Sequence, residues 1–280
     1  MTFIRILLAV ALGVLACAPD ARAATSASQP LAIGETFTLD SKVLGETRRI
    51  NVYLPPGYAG TELRVPVLYM PDGGIGEDFL HVAGLVQVGV GNETMRPFLL
   101  VGVENTERRR DMTGPTNNAE DKKIAPRVGG SAAFRKFIRD ELMPEVKKRY
   151  RTTDETAIVG ESLAGYFVVE TFFLEPDLFD TCIAIDPSLW WNDHKLVDGA
   201  AASLYARPRN AKALFLASSS EFRGDVDATA ALADILRADA PALRWHYEKM
   251  PEEKHATIYQ PAALKAFRLM FAPAPATSPK

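Results

Sequence analysis

Ser162 is the residue best suited to nucleophilic chemistry in this chain, and it lies in the short motif 160–165 (GESLAG). The apolar, β-branched run before it predicts a buried strand, and the Pro-free residues 163–173 after it predict a helix. A serine at such a turn has a strained backbone, and bulky residues two positions away would clash. The motif therefore predicts a nucleophile elbow, although short Gly/Ser patterns also occur in ordinary turns.

A serine nucleophile needs a base. In folds that place the serine at a strand-to-helix turn, this base is a histidine in a loop after a later strand. Of the four histidines, His81 precedes the elbow, His246 lies in a predicted strand, and His194 follows two tryptophans. His255 follows the last predicted strand, residues 243–248. We therefore predict that His255 is the general base, in preference to a surface histidine.

An acid that orients the histidine is expected between these two residues in the chain. Glu221 stands at the end of the predicted strand region 213–220, where a carboxylate could stabilise the imidazolium. Asp225 and Asp227 could take the same role, or could begin a helix, where Asp is favoured by the backbone dipole. Glu221 is the preferred candidate, and the assignment stays open among the three or none.

An oxyanion hole requires two backbone N–H groups directed at one point. The residue after the nucleophile, Leu163, supplies one of them. The second would come from the loop 72–74 (DGG), where the absence of side chains permits close approach. The same glycines would also suit an ordinary turn.

Four further residues are predicted substrate contacts. Trp190 and Trp191 follow a buried strand and could wall a cleft, although a core position is more usual for at least one of them. Arg110, in the run 108–111 (RRRD), could bind an anionic group or belong to a solvated loop. Asp72 borders the predicted oxyanion loop. The histidines lack paired spacing, so no metal site is predicted.

The order of apolar runs predicts the fold. Residues 37–44 and 48–54 alternate apolar and polar side chains around a Gly45-Glu46 turn, as an antiparallel hairpin does. Buried strands then alternate with helices, one of which spans 131–150 with a kink at Pro144. This pattern predicts an α/β fold with a mostly parallel central sheet and helices on both faces. Residues 105–130 form a long loop, which could act as a lid.

The composition suits one large domain. The chain has 280 residues, 47% of them hydrophobic, and a formal net charge of −3, which gives no reason to expect a nucleic-acid partner. Residues 1–23 carry Arg5, a short apolar run and the small-x-small sequence 21–23 (ARA). They predict a signal peptide cut after Ala23, followed by a single domain over 24–280 with its core at about 37–271.

Cys17 offers a competing interpretation of the leader, because residues 14–17 (VLAC) loosely match a lipoprotein cleavage site. Cleavage after Ala23 is preferred, and it leaves Cys182 as the one cysteine of the mature chain. No intramolecular disulfide is then possible. We expect Cys182 to be buried in its apolar run.

Together, these stretches resemble the esterase family of α/β-hydrolases that includes enterochelin esterases, esterase D and feruloyl esterases, and most closely its enterochelin-esterase-like branch. The markers are 68–73 (LYMPDG), 101–106 (VGVENT) with Arg110 and Asp111, 141–144 (ELMP), 150–152 (YRT), 160–165 (GESLAG), 187–191 (PSLWW) and His255. The resemblance implies an α/β-hydrolase fold, Ser162 as nucleophile, His255 as base, and Leu163 with Gly74 as oxyanion donors. The chain departs from the family at Ala164, where Gly is usual, and the family's acid varies.

The sequence therefore predicts a secreted or periplasmic serine hydrolase that cleaves a small-molecule carboxylic ester without a cofactor. A siderophore trilactone, an acylated sugar and a small acyl ester all remain candidate substrates, and the oligomeric state is open. Two other classes would use the same residues: an acyltransferase acting through Ser162, and a binding protein that has lost catalysis.

Overall fold

The central sheet has eight strands in the computed structural model, which describes residues 28–205 and 212–274. The strands are β1 (Glu35–Ser41), β2 (Glu46–Tyr53), β3 (Val65–Met70), β4 (Leu99–Val103), β5 (Thr152–Glu161), β6 (Thr181–Ile185), β7 (Ala213–Ser218) and β8 (Arg244–Lys249). Their spatial order is β1-β2-β4-β3-β5-β6-β7-β8. β1 pairs antiparallel with β2, and β2 antiparallel with β4, whereas all later pairs are parallel. The predicted α/β fold with an N-terminal hairpin is confirmed.

The helices within the described residues connect and cover these strands. They are α1 (Phe79–Gly91), α2 (Arg108–Asp111), α3 (Ala119–Ile124), α4 (Ser131–Phe137), α5 (Met143–Arg149), α6 (Leu163–Leu174), α7 (Lys195–Asp198), α8 (Ala200–Tyr205), α9 (Ala228–Asp239) and α10 (Tyr259–Met270).

Side chains of the central strands alternate between two hydrophobic cores, one on each face of the sheet. In β3, Val67 and Tyr69 point into the core that α4, α5, α6 and α9 cover, whereas Leu68 and Met70 point into the core under α1 and α10. Because both faces are covered, all six residues of β3 are buried. Helices therefore lie on both faces of the sheet, as predicted.

The predicted helix 131–150 is interrupted one turn before its proline. α4 leads into a wider, π-helical turn at Ile138–Leu142, and Pro144 lies in the first turn of α5. A proline near the start of a helix needs no hydrogen bond from its own nitrogen. The wider turn thus allows the chain to pass Pro144 without a break.

The connection 105–130, predicted as a long loop, contains the short helices α2 and α3 and is held against the segment that follows β6. The Trp191 indole Nε1–H donates to the carbonyl of Gly114 at 3.0 Å, and the Asn192 N–H donates to Asp121 at 2.8 Å. Asn118 also donates to Asp193 at 2.6 Å. These bonds join two long connections at the carboxyl end of the sheet.

The predicted signal peptide, residues 1–23, lies outside the described residues, as does Cys17. Cys182 is buried in β6, as expected. Within residues 28–205 and 212–274, no helix combines the length and apolar character needed to cross a bilayer.

The substitution Gly160→Ala tests how tightly the elbow is packed. A Cβ at this position would lie 2.6 Å from the backbone carbon of Ala164, so Gly160→Ala forces a shift of β5 or α6. We expect a loss of about 1–3 kcal/mol in the free energy of unfolding, measured by urea denaturation.

Gly84→Ala is the matched control. Gly84 lies in α1 with nothing within 4 Å of its added methyl group, so alanine should raise the free energy of unfolding by about 0.5–1 kcal/mol through helix propensity. Equal effects of the two substitutions would contradict the close packing of the elbow.

Candidate active site

Ser162 lies between the end of β5 and the start of α6, with φ 61° and ψ −121°. A left-handed φ is costly for a residue with a side chain and persists where neighbouring bonds impose it. Here the Ser162 N–H donates to Ile185 O at 3.1 Å, and the Ser162 carbonyl accepts from Tyr166 N and Ser188 N at 2.9 and 3.0 Å. A Cβ on Gly165 would meet Ile185 O at 3.0 Å, which explains the small residue there. The local geometry is that of a nucleophile elbow.

His255 lies between β8 and α10, and its ring reaches the elbow. Its Nε2 is 3.0 Å from the Ser162 Oγ, and its Nδ1 is 2.6 Å from Asp186 Oδ2. If Nδ1 carries the proton and donates it to Asp186, Nε2 is free to accept the serine proton. The structure thus brings the predicted nucleophile and the predicted base together.

Asp186, which immediately follows β6, occupies the position of the orienting acid. Its carboxylate also accepts from the N–H and the hydroxyl of Ser219, both at 2.8 Å, so it is fixed in place. The candidate Glu221 instead accepts the backbone N–H of His255 at 3.0 Å, Asp225 is exposed, and Asp227 caps α9. The assignment of the acid to Glu221 is corrected to Asp186, because the Asp186 carboxylate contacts the ring nitrogen Nδ1 and the Glu221 carboxylate contacts the backbone N–H instead.

A signal for Asp186 was present in the sequence. It directly follows the strand after the nucleophile strand, and it lies between Ser162 and His255 in the chain. Its φ of 42° could not be read from the sequence.

The charge of His255 depends on its acidic neighbours. The hydrogen bond to Asp186 raises the pKa of the imidazole above its usual value, burial opposes the rise, and the charges of Glu161 and Glu221 add to it. A raised pKa means that the ring becomes neutral, and able to act as a base, only at a higher pH.

Glu161 is a site residue that the sequence analysis missed. Its Oε1 lies 3.3 Å from His255 Nε2, and only 14% of its side chain is exposed. Burial, the largest cause, raises the pKa of this carboxyl to about 7. Its place beside Ser162 in the motif was the available signal.

The two predicted oxyanion donors differ in their surroundings. Leu163 is the first residue of α6, so its N–H is one of the donors at the positive end of that helix. The Gly74 N–H donates to Glu77 Oε2 at 2.7 Å. A carboxylate therefore engages the second donor in this structure, and its role in an oxyanion hole stays a prediction.

Two predicted substrate contacts, Asp72 and Arg110, form ion pairs within the protein. Asp72 is buried and forms a bidentate pair with Arg108 at 2.7 and 2.8 Å. Arg110 is bound to Glu46 at 2.7 Å and to Asp111 at 2.7 Å. Neither Asp72 nor Arg110 lines the cavity beside Ser162, and neighbouring charges occupy their polar groups. Their contact with a substrate stays a prediction.

Trp190 and Trp191 lie in different environments. Trp190 lines a cavity of about 280 Å³ beside Ser162, whereas Trp191 is fully buried and is corrected to a core residue. Arg223 lies over the Trp190 ring, 4.1 Å from its centroid. The remaining lining residues include Pro187, Ser188, Leu189, Phe222, Val226 and Thr229. The segment around Phe222 and Arg223 has no periodic pattern in the sequence, which is why it was missed.

Three residues of this site have side chains of the types that bind metal ions. Among the described residues, Glu161, Asp186 and His255 bring ligand-type atoms within 4.8 Å of one another. The 2.6 Å contact of His255 Nδ1 with Asp186 is a hydrogen bond that holds a proton between those atoms. The arrangement therefore suits proton transfer.

The strand order, the elbow and the Ser162–His255–Asp186 chain define an α/β-hydrolase fold with the residue arrangement of a serine hydrolase. The family model described as "Putative esterase" matches residues 41–262. The chain belongs to this esterase family, which confirms the family predicted from the sequence.

Individual relatives agree with this assignment. The chain is 31% identical to the ferri-bacillibactin esterase BesA of Bacillus subtilis over 52% of its own length and 56% of BesA. It is 28% identical to a siderophore triacetylfusarinine C esterase of Aspergillus fumigatus, over 62% of each chain. An IroE-like serine hydrolase from Shewanella oneidensis superposes with a TM-score of 0.78 and 28% identity, covering 85% of this chain and 80% of that one. The chain thus spans little more than half of the first relative's length.

The roles of Asp186 and Glu221 can be told apart by the reactivity of Ser162 towards a fluorophosphonate. Asp186→Asn should slow labelling by about 10³–10⁴-fold, because the amide no longer stabilises the imidazolium or the correct tautomer. Glu221→Gln retains an acceptor for the His255 N–H and should slow labelling less than tenfold. Intact mass against time measures both rates, and similar losses in the two variants would contradict Asp186 as the orienting acid.

Proposed function

We propose that this protein is a serine esterase that hydrolyses siderophore esters through an acyl-enzyme on Ser162. The observation that carries the proposal is the hydrogen-bonded chain from Ser162 Oγ through His255 to Asp186, with distances of 3.0 and 2.6 Å. These three hydrogen-bonded side chains line a cavity that is large enough for an acyl group. Membership of an esterase family supports the same reaction class.

Acylation follows from the positions of these atoms. Ser162 Oγ attacks the ester carbonyl carbon while His255 Nε2 accepts the hydroxyl proton. The resulting imidazolium is stabilised by Asp186, which already bonds Nδ1. The oxyanion is stabilised by the Leu163 N–H at the start of α6. The proton on Nε2 then passes to the leaving alcohol, and the carbon–oxygen bond breaks.

Deacylation repeats the steps with water as the nucleophile. His255 takes a proton from the water, which attacks the acyl carbonyl, and returns it to Ser162 Oγ as the carboxylic acid leaves. His255 has 44% of its side chain exposed, so solvent reaches the ring. This access favours hydrolysis over transfer to a second alcohol.

The cavity supports a substrate with an aromatic or anionic acyl arm. Trp190 and Phe222 provide aromatic surface, and Arg223 adds a positive charge. A volume of about 280 Å³ is at the low end for ligand sites, which suits one arm of a larger ester rather than the whole molecule. The siderophore esterases named above support the choice of this ester class.

We expect the purified protein to cleave ferri-bacillibactin and triacetylfusarinine C in preference to p-nitrophenyl butyrate, as judged by kcat/KM from product chromatography. Ser162→Ala should lower every rate by about 10⁴-fold or more, because it removes the hydroxyl that contacts His255 Nε2. Ser220→Ala is a control outside the site, since this hydroxyl only donates to Glu253 O.

Three outcomes would contradict the proposal. Rapid cleavage of p-nitrophenyl butyrate with no cleavage of either siderophore would leave an esterase of another substrate class. Binding of a siderophore without turnover, together with no fluorophosphonate adduct on Ser162, would favour the binding protein. Ester products formed with an added alcohol would favour the acyltransferase.

We also propose that residues 1–23 direct export and that the mature chain begins at Ala24, as the small-x-small pattern before it favours. Expression of the full chain in a bacterium should yield a periplasmic or secreted protein whose intact mass corresponds to a start at Ala24. Replacing Ala21 and Ala23 with bulky residues should block cleavage. A lipidated mass starting at Cys17 would contradict this prediction.

A further inference from the structure

Nε2 of His255 has two close neighbours, and only one of them is the nucleophile. Ser162 Oγ lies 3.0 Å from this nitrogen, and Glu161 Oε1 lies 3.3 Å from it. Glu161 is the last residue of β5 and directly precedes Ser162, so the elbow places both side chains against the same ring edge. In this structure the hydrogen bond of Nε2 is the one with Ser162 Oγ, and the Glu161 carboxylate is the second polar group within reach of the same nitrogen.

The Nε2 atom of an imidazole ring makes one hydrogen bond in the ring plane. It is the acceptor when it carries no proton and the donor when it is protonated. When Glu161 is ionised and His255 is neutral, the carboxylate has no proton to offer, and the Ser162 hydroxyl is the donor to Nε2. The alternative state has one proton between His255 Nε2 and the Glu161 carboxylate, in addition to the proton on Nδ1. Either the imidazolium then donates from Nε2 to the carboxylate, or the carboxyl group donates to Nε2 of the neutral ring. In both cases Nε2 no longer accepts from Ser162.

We propose that Glu161 is a positioning residue that withdraws Nε2 from Ser162 whenever the Glu161–His255 pair holds a proton, and thereby sets the lower pH limit of nucleophilic activity. The inference rests on the proposed function for the reaction that is measured. Its physical content, a proton shared between two adjacent side chains, can also be observed without a substrate.

The charges that face Glu161 come from several elements. Arg108, paired with Asp72, lowers the pKa of the Glu161 carboxyl, whereas Asp186 and Asp78 raise it. The Tyr259 phenol of α10 faces the same group of charges.

His255 faces Asp186, Glu161 and Glu221, and all three raise its pKa. Burial raises the pKa of the Glu161 carboxyl to about 7, so both members of this adjacent pair have raised pKa values. The pair then titrates as a unit rather than as two independent groups.

Removal of the Glu161 charge has a defined sign. An ionised neighbour favours the imidazolium, so its loss lowers the pKa of His255 and lets the ring become neutral at lower pH. In Glu161→Gln and Glu161→Ala, the acid limb of kcat/KM should therefore move down by about one pH unit. Above the acid limb, the variants should be slower than the native protein, because the carboxylate no longer stabilises the imidazolium formed in the reaction.

The matched control is Glu248→Gln, which removes a carboxylate that lies 3.1 Å from His246 on β8. The chemical change is the same, but the histidine is not the one beside Ser162, so the pH profile should stay in place. Rates on p-nitrophenyl butyrate from pH 5 to pH 9 give the four profiles. An unchanged acid limb in both Glu161 variants would overturn the proposal, whereas a lower plateau with an unmoved limb would indicate a structural role only.

Histidine NMR separates failure of this inference from failure of the proposed function. The His255 ring resonances are titrated in the Ser162→Ala background with and without Glu161→Gln, and are assigned by comparison with His255→Asn. A lower midpoint in the Gln variant supports the shared proton even if no ester is cleaved. Identical midpoints would overturn it even if siderophore esters are hydrolysed.

Discussion

The hydrogen bond between His255 Nδ1 and Asp186 Oδ2 decides which edge of the imidazole faces the nucleophile. Once Nδ1 is held by the acid, Nε2 must point towards the elbow, where it meets Ser162. Asp186 can hold the ring because its carboxylate is fixed by two bonds from Ser219, at the end of the neighbouring strand. The alignment of the whole site therefore depends on a buried carboxylate whose other hydrogen bonds are already formed.

The parallel sheet explains how residues distant in the chain reach this point. Parallel strands have their carboxyl ends at one edge, and β5, β6 and β8 deliver Ser162, Asp186 and His255 to that edge. The distances need close packing as well, which Gly160 permits by leaving no Cβ between β5 and α6. The connection 105–130 also lies at this end of the sheet, where its Gly114 carbonyl accepts a hydrogen bond from the Trp191 indole N–H.

The same edge also brings together acidic groups whose charges interact. Glu161 and Asp186 approach the ring of His255 from its two nitrogens. One carboxylate orients the base, and the other competes for the nitrogen that the nucleophile needs. Proximity within one motif thus has a cost as well as a benefit, because the backbone turn that exposes Ser162 also carries its neighbour to the ring.

Local pattern was sufficient for the residues whose role depends on position along the chain. Ser162 was predicted from a strand-to-helix turn, His255 from its loop after the last strand, and the sheet from alternating apolar runs. It was insufficient where several similar residues compete for one role. Glu221, Arg110 and Trp191 had the right chemistry and the right neighbourhood in sequence, but other groups engage them in space. The Glu221 carboxylate accepts a backbone N–H, Arg110 pairs with carboxylates, and the Trp191 indole donates to a carbonyl.

The sequence by itself thus determined the fold class and the strand-to-helix turn at Ser162, and it predicted Ser162 and His255 as nucleophile and base, because hydrophobic periodicity and turn chemistry act over a few residues. The tertiary structure alone decided that Asp186 holds His255, that Trp190 and not Trp191 lines the cavity, and that Glu161 lies beside the Nε2 that contacts Ser162. These outcomes depend on distances of about 3 Å between strand ends. Such distances are set by the packing of the sheet and the helices on it, which no short stretch of sequence encodes.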